Sequence, residues 1–156
     1  MGLGYGLAQF GTLPLSAVRQ AEAADSSDDS VQKIVVHLTE SEGENALHSA
    51  LMAFGLATAL QKQSATVTVM LDSEAPSLVK ASWADRSLYK SRREQSPMTL
   101  GRAIKGFVDA GGTIVLCPHC AASCGCDTKN ITTGAKLGQQ GELARVVLEA
   151  NKILDY

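Results

Sequence analysis

The chain alternates short, β-branched apolar runs with longer segments whose apolar residues recur every three or four positions. "KIVVHL" (33–38) is a run long enough for a buried strand. "TESEGEN" (39–45) carries loop and helix-start chemistry, and residues 44–63 follow with Leu47, Ala50, Leu51, Phe54, Ala57 and Leu60 on one helical face. "ATVTVML" (65–71) reads as the second strand. Strand, helix and strand in this order form a βαβ unit, which crosses over right-handed and pairs in parallel.

Residues 72–95 are the least regular, with a short helix expected over 75–81 and a small basic run at Lys90, Arg92 and Arg93 read as a solvated loop. Ser96-Pro97 has the form of an N-cap followed by proline at the first helical position. Leu100, Ile104, Phe107, Val108 and Gly111 then keep helical spacing, and Gly111-Gly112 supplies the stop. "TIVLC" (113–117) is a third buried strand, and "ITTGAKLGQQG" (131–141) a loop or short strand. Residues 142–150 predict a helix with Leu143, Val146, Val147 and Ala150 on one face, and "KILDY" (152–156) a last strand. The alternation predicts an α/β three-layer sandwich with a mainly parallel sheet.

Composition changes this picture only at the N-terminus. Over 156 residues, 45% are apolar and 19% charged, as in an ordinary soluble globular chain. A net charge of −2 argues against nucleic acid and anionic membranes as partners, and one Trp, three Tyr and three Phe are too few for a base-stacking platform. Residues 1–30 read instead as a flexible tail or signal remnant ahead of a domain at 31–156. Ala21-Glu22-Ala23 has the small-x-small form of a signal-peptidase site, but no positive charge precedes the weakly apolar stretch before it. The expected location is cytoplasmic, or exported to a periplasm if residues 1–23 act as a signal. No apolar run reaches the ~18 residues of a spanning helix.

Every cysteine lies in "IVLCPHCAASCGC" (114–126), and the cluster begins where the third strand ends. In open α/β sheets, ligands and chemistry gather past the carboxyl ends of strands. Thr39, Glu40 and Ser41, after the first strand, could face the same edge as Cys117. Three chemistries fit the cluster. Cys117-Pro118-His119-Cys120 matches the redox pair of thioredoxin-type oxidants. The context disagrees, because Pro14, Pro76, Pro97 and Pro118 all precede Cys120 and leave no later proline for a cis-proline loop. Cys117, Cys120, Cys124 and Cys126, with His119, are enough ligands for zinc or an iron–sulfur cluster, but their spacing is not that of two separated Cys-x-x-Cys knuckles. The third chemistry is that of a thiol carrying sulfur.

That third reading follows a resemblance. "KIVVHLT", "ATVTVMLDSEAPSLV", "FVDAGGTIVLCPHCAASCG" and "ITTGAKLGQQGELARVVLEANKILDY" resemble, in order, successive landmarks of the DsrE/DsrF-like family of sulfur-relay proteins and predicted peroxiredoxins. Together they span about four-fifths of the chain. The resemblance implies a small, flavodoxin-like doubly wound sheet and assembly into homotrimers or hexamers. It also implies a reactive cysteine at Cys117 with a second cysteine at Cys120, and a persulfide passed between protein donor and acceptor. Cys124 and Cys126 are additions to the family pattern.

A persulfide carrier needs a thiolate, partial exposure and a polarising environment. The amides of a loop or helix beginning at Pro118 could supply the last. His119 could serve as cation or donor, or be a solvent-exposed loop histidine. Cys120 could resolve a Cys117 persulfide or sulfenate as a disulfide. His37 and His48 read as structural, Trp83 and Tyr89 as either lining the site or packing, and Glu40 and Ser41 as loop polarity or ligand contacts. The expected function is sulfane-sulfur transfer through Cys117, with no cofactor. The alternatives are a Cys-cluster metal-binding or thiol-redox-sensing protein, and a non-catalytic oligomeric subunit.

Overall fold

The computed structural model describes residues 31–42, 44–87 and 98–156. The N-terminal stretch, the basic run, Tyr89 and the Ser96-Pro97 pair lie outside the described residues. The elements are β1 (Lys33–Leu38), α1 (Glu44–Lys62), β2 (Thr66–Leu71), 3-10 turns at Ala75–Val79 and Ala81–Trp83, α2 (Leu100–Asp109), β3 (Thr113–Leu116), α3 (Pro118–Ser123), β4 (Ala135–Leu137), α4 (Glu142–Glu149) and β5 (Lys152–Asp155). The strands form one sheet in the order β4-β3-β2-β1-β5. Every pairing is parallel, so the sheet expected to be mainly parallel is wholly so.

One register row shows how the layers are built. Leu154, Val36, Val69, Ile114 and Ala135 lie side by side across the five strands. With Ile34, Leu38, Val67, Leu71 and Leu116 they pack against Ala50, Ala53, Phe54 and Ala57 of α1 and Leu100, Ile104 and Phe107 of α2. The alternate residues point the other way, where Val35, Met70 and Val115 are buried. Val146 of α4 and Ala150 just past its end share a recess with Val35, Thr66 and Thr68 on that second face. Right-handed crossovers require this arrangement: β1 to β4 step across the sheet in one direction, and α4 carries the chain back to the opposite edge, so it must cover the opposite face. The result is the three-layer α/β sandwich, doubly wound.

Several local expectations shift. The N-cap residue of α2 is Thr99, whose Oγ1 accepts from the Arg102 amide at 3.3 Å. The short helix expected over 75–81 is the pair of 3-10 turns, the first led by Pro76. On α1, Leu51 stays half-buried while Ala46 and Ala53 join the buried stripe, because small side chains let the helix lie close on the sheet. Val147 of α4 is exposed rather than on the packed face. Among the described residues no helix is long and apolar enough to cross a membrane.

Candidate functional site

Cys117 continues β3 by one step: its amide donates to the Leu71 carbonyl at 2.8 Å, extending the strand ladder. Pro118 then opens α3, for which Cys117 is the N-cap residue without a side-chain capping bond. The helix has only six residues. The anion-stabilising amides expected at Pro118 therefore belong to a helix of less than two turns. A Gly125 with φ of +66° ends it, and the Cys126 amide returns to the Ala121 carbonyl at 2.7 Å in a Schellman turn.

The cysteine spacing now has a physical meaning. Cys117, Cys120 and Cys124 fall at i, i+3 and i+7 and form one helical stripe facing the chain just after β2. The Cys124 thiol donates to the carbonyls of Ser73 (3.6 Å) and Glu74 (3.7 Å). Cys126, past the turn and only 5% exposed, donates to the Pro76 carbonyl at 3.3 Å. Burial raises its pKa, with Cys124 and Asp127 adding to the rise and Lys80 opposing it. These two sulfurs clamp α3 to the 73–76 segment. Among the described residues no three His, Cys, Asp or Glu side chains gather closely enough to hold a metal ion. The four-cysteine set considered for zinc or an iron–sulfur cluster is thus divided between a helix stripe and a turn, and does not converge.

Cys120 is half-buried beside Cys117, close enough for the two thiols to interact. Burial raises its pKa first. The neighbouring Cys117 and the charge of Asp72 raise it further, while the Ser73 backbone opposes them. Ser73 has a φ of +50°, a conformation that non-glycine residues rarely adopt.

On its other side Cys117 opens onto a cleft of about 570 Å³, lined by Pro118, His119, Gly138, Gln139, Gln140, Gly141, Leu143 and Ala144. Its origin is topological. The connection after β3 turns toward the α1/α2 face, where Ala121 is buried in the core, while the connection after β4 turns to the α4 face. The two chains part and leave a crevice at the carboxyl edge of the sheet. Glu142 braces the far wall, accepting from the Gln139 amide at 2.9 Å and from Lys136 Nζ at 2.7 Å. Gly138 is required there, since an added Cβ would stand 2.9 Å from the Leu116 carbonyl and 2.8 Å from Leu143. A cavity of similar volume, about 590 Å³, lies between Ala84, Thr99, Arg102, Lys105 and Thr132 and holds no thiol.

The remaining candidates separate. His119 is exposed on the cleft rim. His37, at the carboxyl end of β1, donates Nδ1–H to Asp155 at 2.7 Å. Its Nε2 lies 3.1 Å from Asp72 Oδ2, within ion-pair distance when the ring is protonated. His48 is exposed on α1. Trp83 packs against the core, with the Arg86 guanidinium stacked 3.3 Å from its ring centre, and does not line the thiol cleft. Ser41 is buried, and Glu40 borders a shallow depression with Thr39, Glu42, Ser73 and Glu74 at the same sheet edge. Asp72, Ser73 and the 138–144 wall were not apparent as site residues from sequence. Only the parallel pairing of β2 with β3 and of β3 with β4 brings them to Cys117.

Fold and thiol cleft together define an α/β protein of the DsrE-like fold class. Neither a family model nor a curated protein matches the chain by sequence. Among solved structures it is similar to the ychN protein of E. coli, with 19% identity and a TM-score of 0.61 over 81% of this chain and 100% of that one. It is also similar to MTH1491 of Methanobacterium thermoautotrophicum, described as a protein of unknown function, with 13% identity and a TM-score of 0.58 over 80% of this chain and 99% of that one. At such identities the likeness establishes the fold alone.

Proposed function

We propose that this protein is a sulfane-sulfur carrier, holding its cargo as a persulfide on Cys117 and exchanging it with a protein donor and a protein acceptor. The observation that supports the reading is the position of Cys117: half-buried, fixed at a strand end, and open to the crevice where the connections after β3 and β4 diverge. The facing wall of Gly138, Gln139, Gln140, Gly141, Leu143 and Ala144 offers amide and apolar groups without formal charge. Such a surface suits a polarisable sulfur atom and an incoming thiol. In loading, the Cys117 thiolate attacks the outer sulfur of a donor persulfide. The Cys117 S–S bond forms, the donor S–S bond breaks, and the donor departs as a thiolate.

Incubation with a sulfane donor should add one sulfur atom, about 32 Da, to the intact protein. Replacing Cys117 by Ser should abolish that gain, and Cys124→Ser should leave it. Full loading of the Cys117→Ser protein would remove the reading. The nearness of Cys120 to Cys117 favours a second reading, dithiol–disulfide redox chemistry. It would show as loss of two hydrogens on mild oxidation, with no sulfur uptake.

A further inference from the structure

The end of β3 is gripped from both sides. The Cys117 amide donates to the Leu71 carbonyl of β2 at 2.8 Å, and the Gly138 amide donates to the Leu116 carbonyl, also at 2.8 Å. Leu116 pairs with Leu137 in the β3–β4 register, so the next position beside Cys117 on the β4 side is Gly138. A glycine there removes the side chain that would stand next to the thiol. Leu143 takes that space: a Cβ added to Gly138 would stand 2.8 Å from the Leu143 side chain and 3.1 Å from Val115. The thiol therefore borders a bare step of backbone backed by leucine.

The rest of the wall is neutral. Pro118 and Ala144 add apolar surface, and the exposed Gln139 and Gln140 add carboxamides that can both donate and accept hydrogen bonds. Among the described residues no lysine or arginine lines the cleft. The Glu142 carboxylate that braces this wall is already taken by Lys136 Nζ and the Gln139 amide.

From this arrangement we infer that the cleft selects its partners by charge. It takes a cysteine set in an uncharged, amide-bearing stretch of peptide, and it disfavours anionic sulfur compounds such as thiosulfate or a carboxylate-bearing small thiol. The inference rests on the carrier reading above and names the class of molecule served by that site. In discharge, an acceptor thiolate attacks the outer sulfur of the Cys117 persulfide. The acceptor–sulfur bond forms, the Cys117 S–S bond breaks, the electron pair goes to Cys117 Sγ, and the proton stays on the transferred sulfur. One thiolate replaces another, so the exchange brings no net charge into the cleft. A second anionic group on the partner would lose water against a wall that offers no counter-charge, whereas a carboxamide can exchange its hydrogen bonds with Gln139 and Gln140.

The test uses two alkylating agents of nearly equal size, neutral iodoacetamide and anionic iodoacetate, on the full chain, with modification read at Cys117 by fragment mass. Both consume the thiolate, so the ratio of their rates does not depend on how much thiolate is present. The ratio of iodoacetamide to iodoacetate rates should be about fivefold higher in the folded protein than in the same chain unfolded in urea. Gln140→Lys should bring the ratio down, and Gln140→Glu should raise it further. In the sulfur-loaded protein, N-acetylcysteine amide should discharge Cys117 about fivefold faster than N-acetylcysteine, relative to the same pair acting on a small persulfide. A folded ratio equal to the urea ratio overturns the inference. So does a ratio that the two Gln140 variants leave unmoved or move in the same direction, or an equal discharge by the two thiols. The alkylation ratio needs no sulfur loading. A raised ratio in protein that takes up no sulfur would remove the carrier reading and leave the charge preference of the cleft standing.

Discussion

His37 occupies a strand position whose neighbours on either side, Val36 and Leu38, are fully buried, and it meets that setting by pairing with carboxylates at both ring nitrogens. Burial works against its charged form and is the largest single influence. Asp155 and Asp72 together outweigh it, so the pKa is raised above 6.5. A raised folded-state pKa gives stability that is fully present below the unfolded value and is lost as pH rises through the folded value. His37→Gln should therefore lower the melting temperature most at pH 5.5, and the gap from wild type should shrink by pH 8.5. Thermal melts at the two pH values check this, and a gap that widens with pH would contradict it. The histidine was legible as a structural residue of a strand, but its partners were not. Asp155 is 118 positions away and becomes a neighbour only because β5 pairs with β1. The same holds for the thiols. Cys117 could be placed at a strand end from the run "TIVLC", whereas the contacts of Cys120 and Cys124 with residues after β2 depend on parallel register.

At the scale of elements, the apolar periodicity of α2 was read correctly at Leu100, Ile104 and Phe107, all fully or nearly fully buried. Phe107 is the keystone of that helix. Its ring meets Phe54 of α1 with centroids 6.0 Å apart and planes at 57°, and it covers Gly112 so closely that an added Cβ would stand 2.2 Å from the ring. Phe107→Ala should cost about 3–5 kcal/mol, measurable by urea denaturation. A loss under about 1 kcal/mol would mean the two helices repack around the void. Periodicity was less informative for α1, where residues on several sides are apolar and the choice of buried face falls to fit. Ala46, Ala50, Ala53 and Ala57 turn inward beside Phe54, leaving Met52 and Leu56 exposed. The three-residue β4 was legible only as loop or strand, because its length carries almost no periodic signal and its pairing with β3 defines it.

For the whole molecule, the α/β class and the parallel sheet followed from the alternation of strand and helix signals, while the edge order did not. The back layer is the thinnest part of the sandwich: α4 has eight residues and none is fully buried. Leu148 is 85% exposed there and Ile153 on the adjoining strand 44%. Homo-oligomerisation through this end is our proposal, and light scattering at micromolar concentration should show a trimer or hexamer that Leu148→Glu dissociates. A wild-type monomer would refute it. One further consequence concerns delivery. The Cys117 amide is bonded into the strand ladder, its helix is stitched down by three thiol–carbonyl contacts from Cys124 and Cys126, and the opposite wall is braced by Glu142. A lipoyl-type arm ferries its load between stations by swinging on a long flexible stem. If the protein carries sulfur as proposed, its berth is stationary, so each exchange partner would have to insert its own thiol on a protruding segment, and traffic would depend on how those visitors take turns.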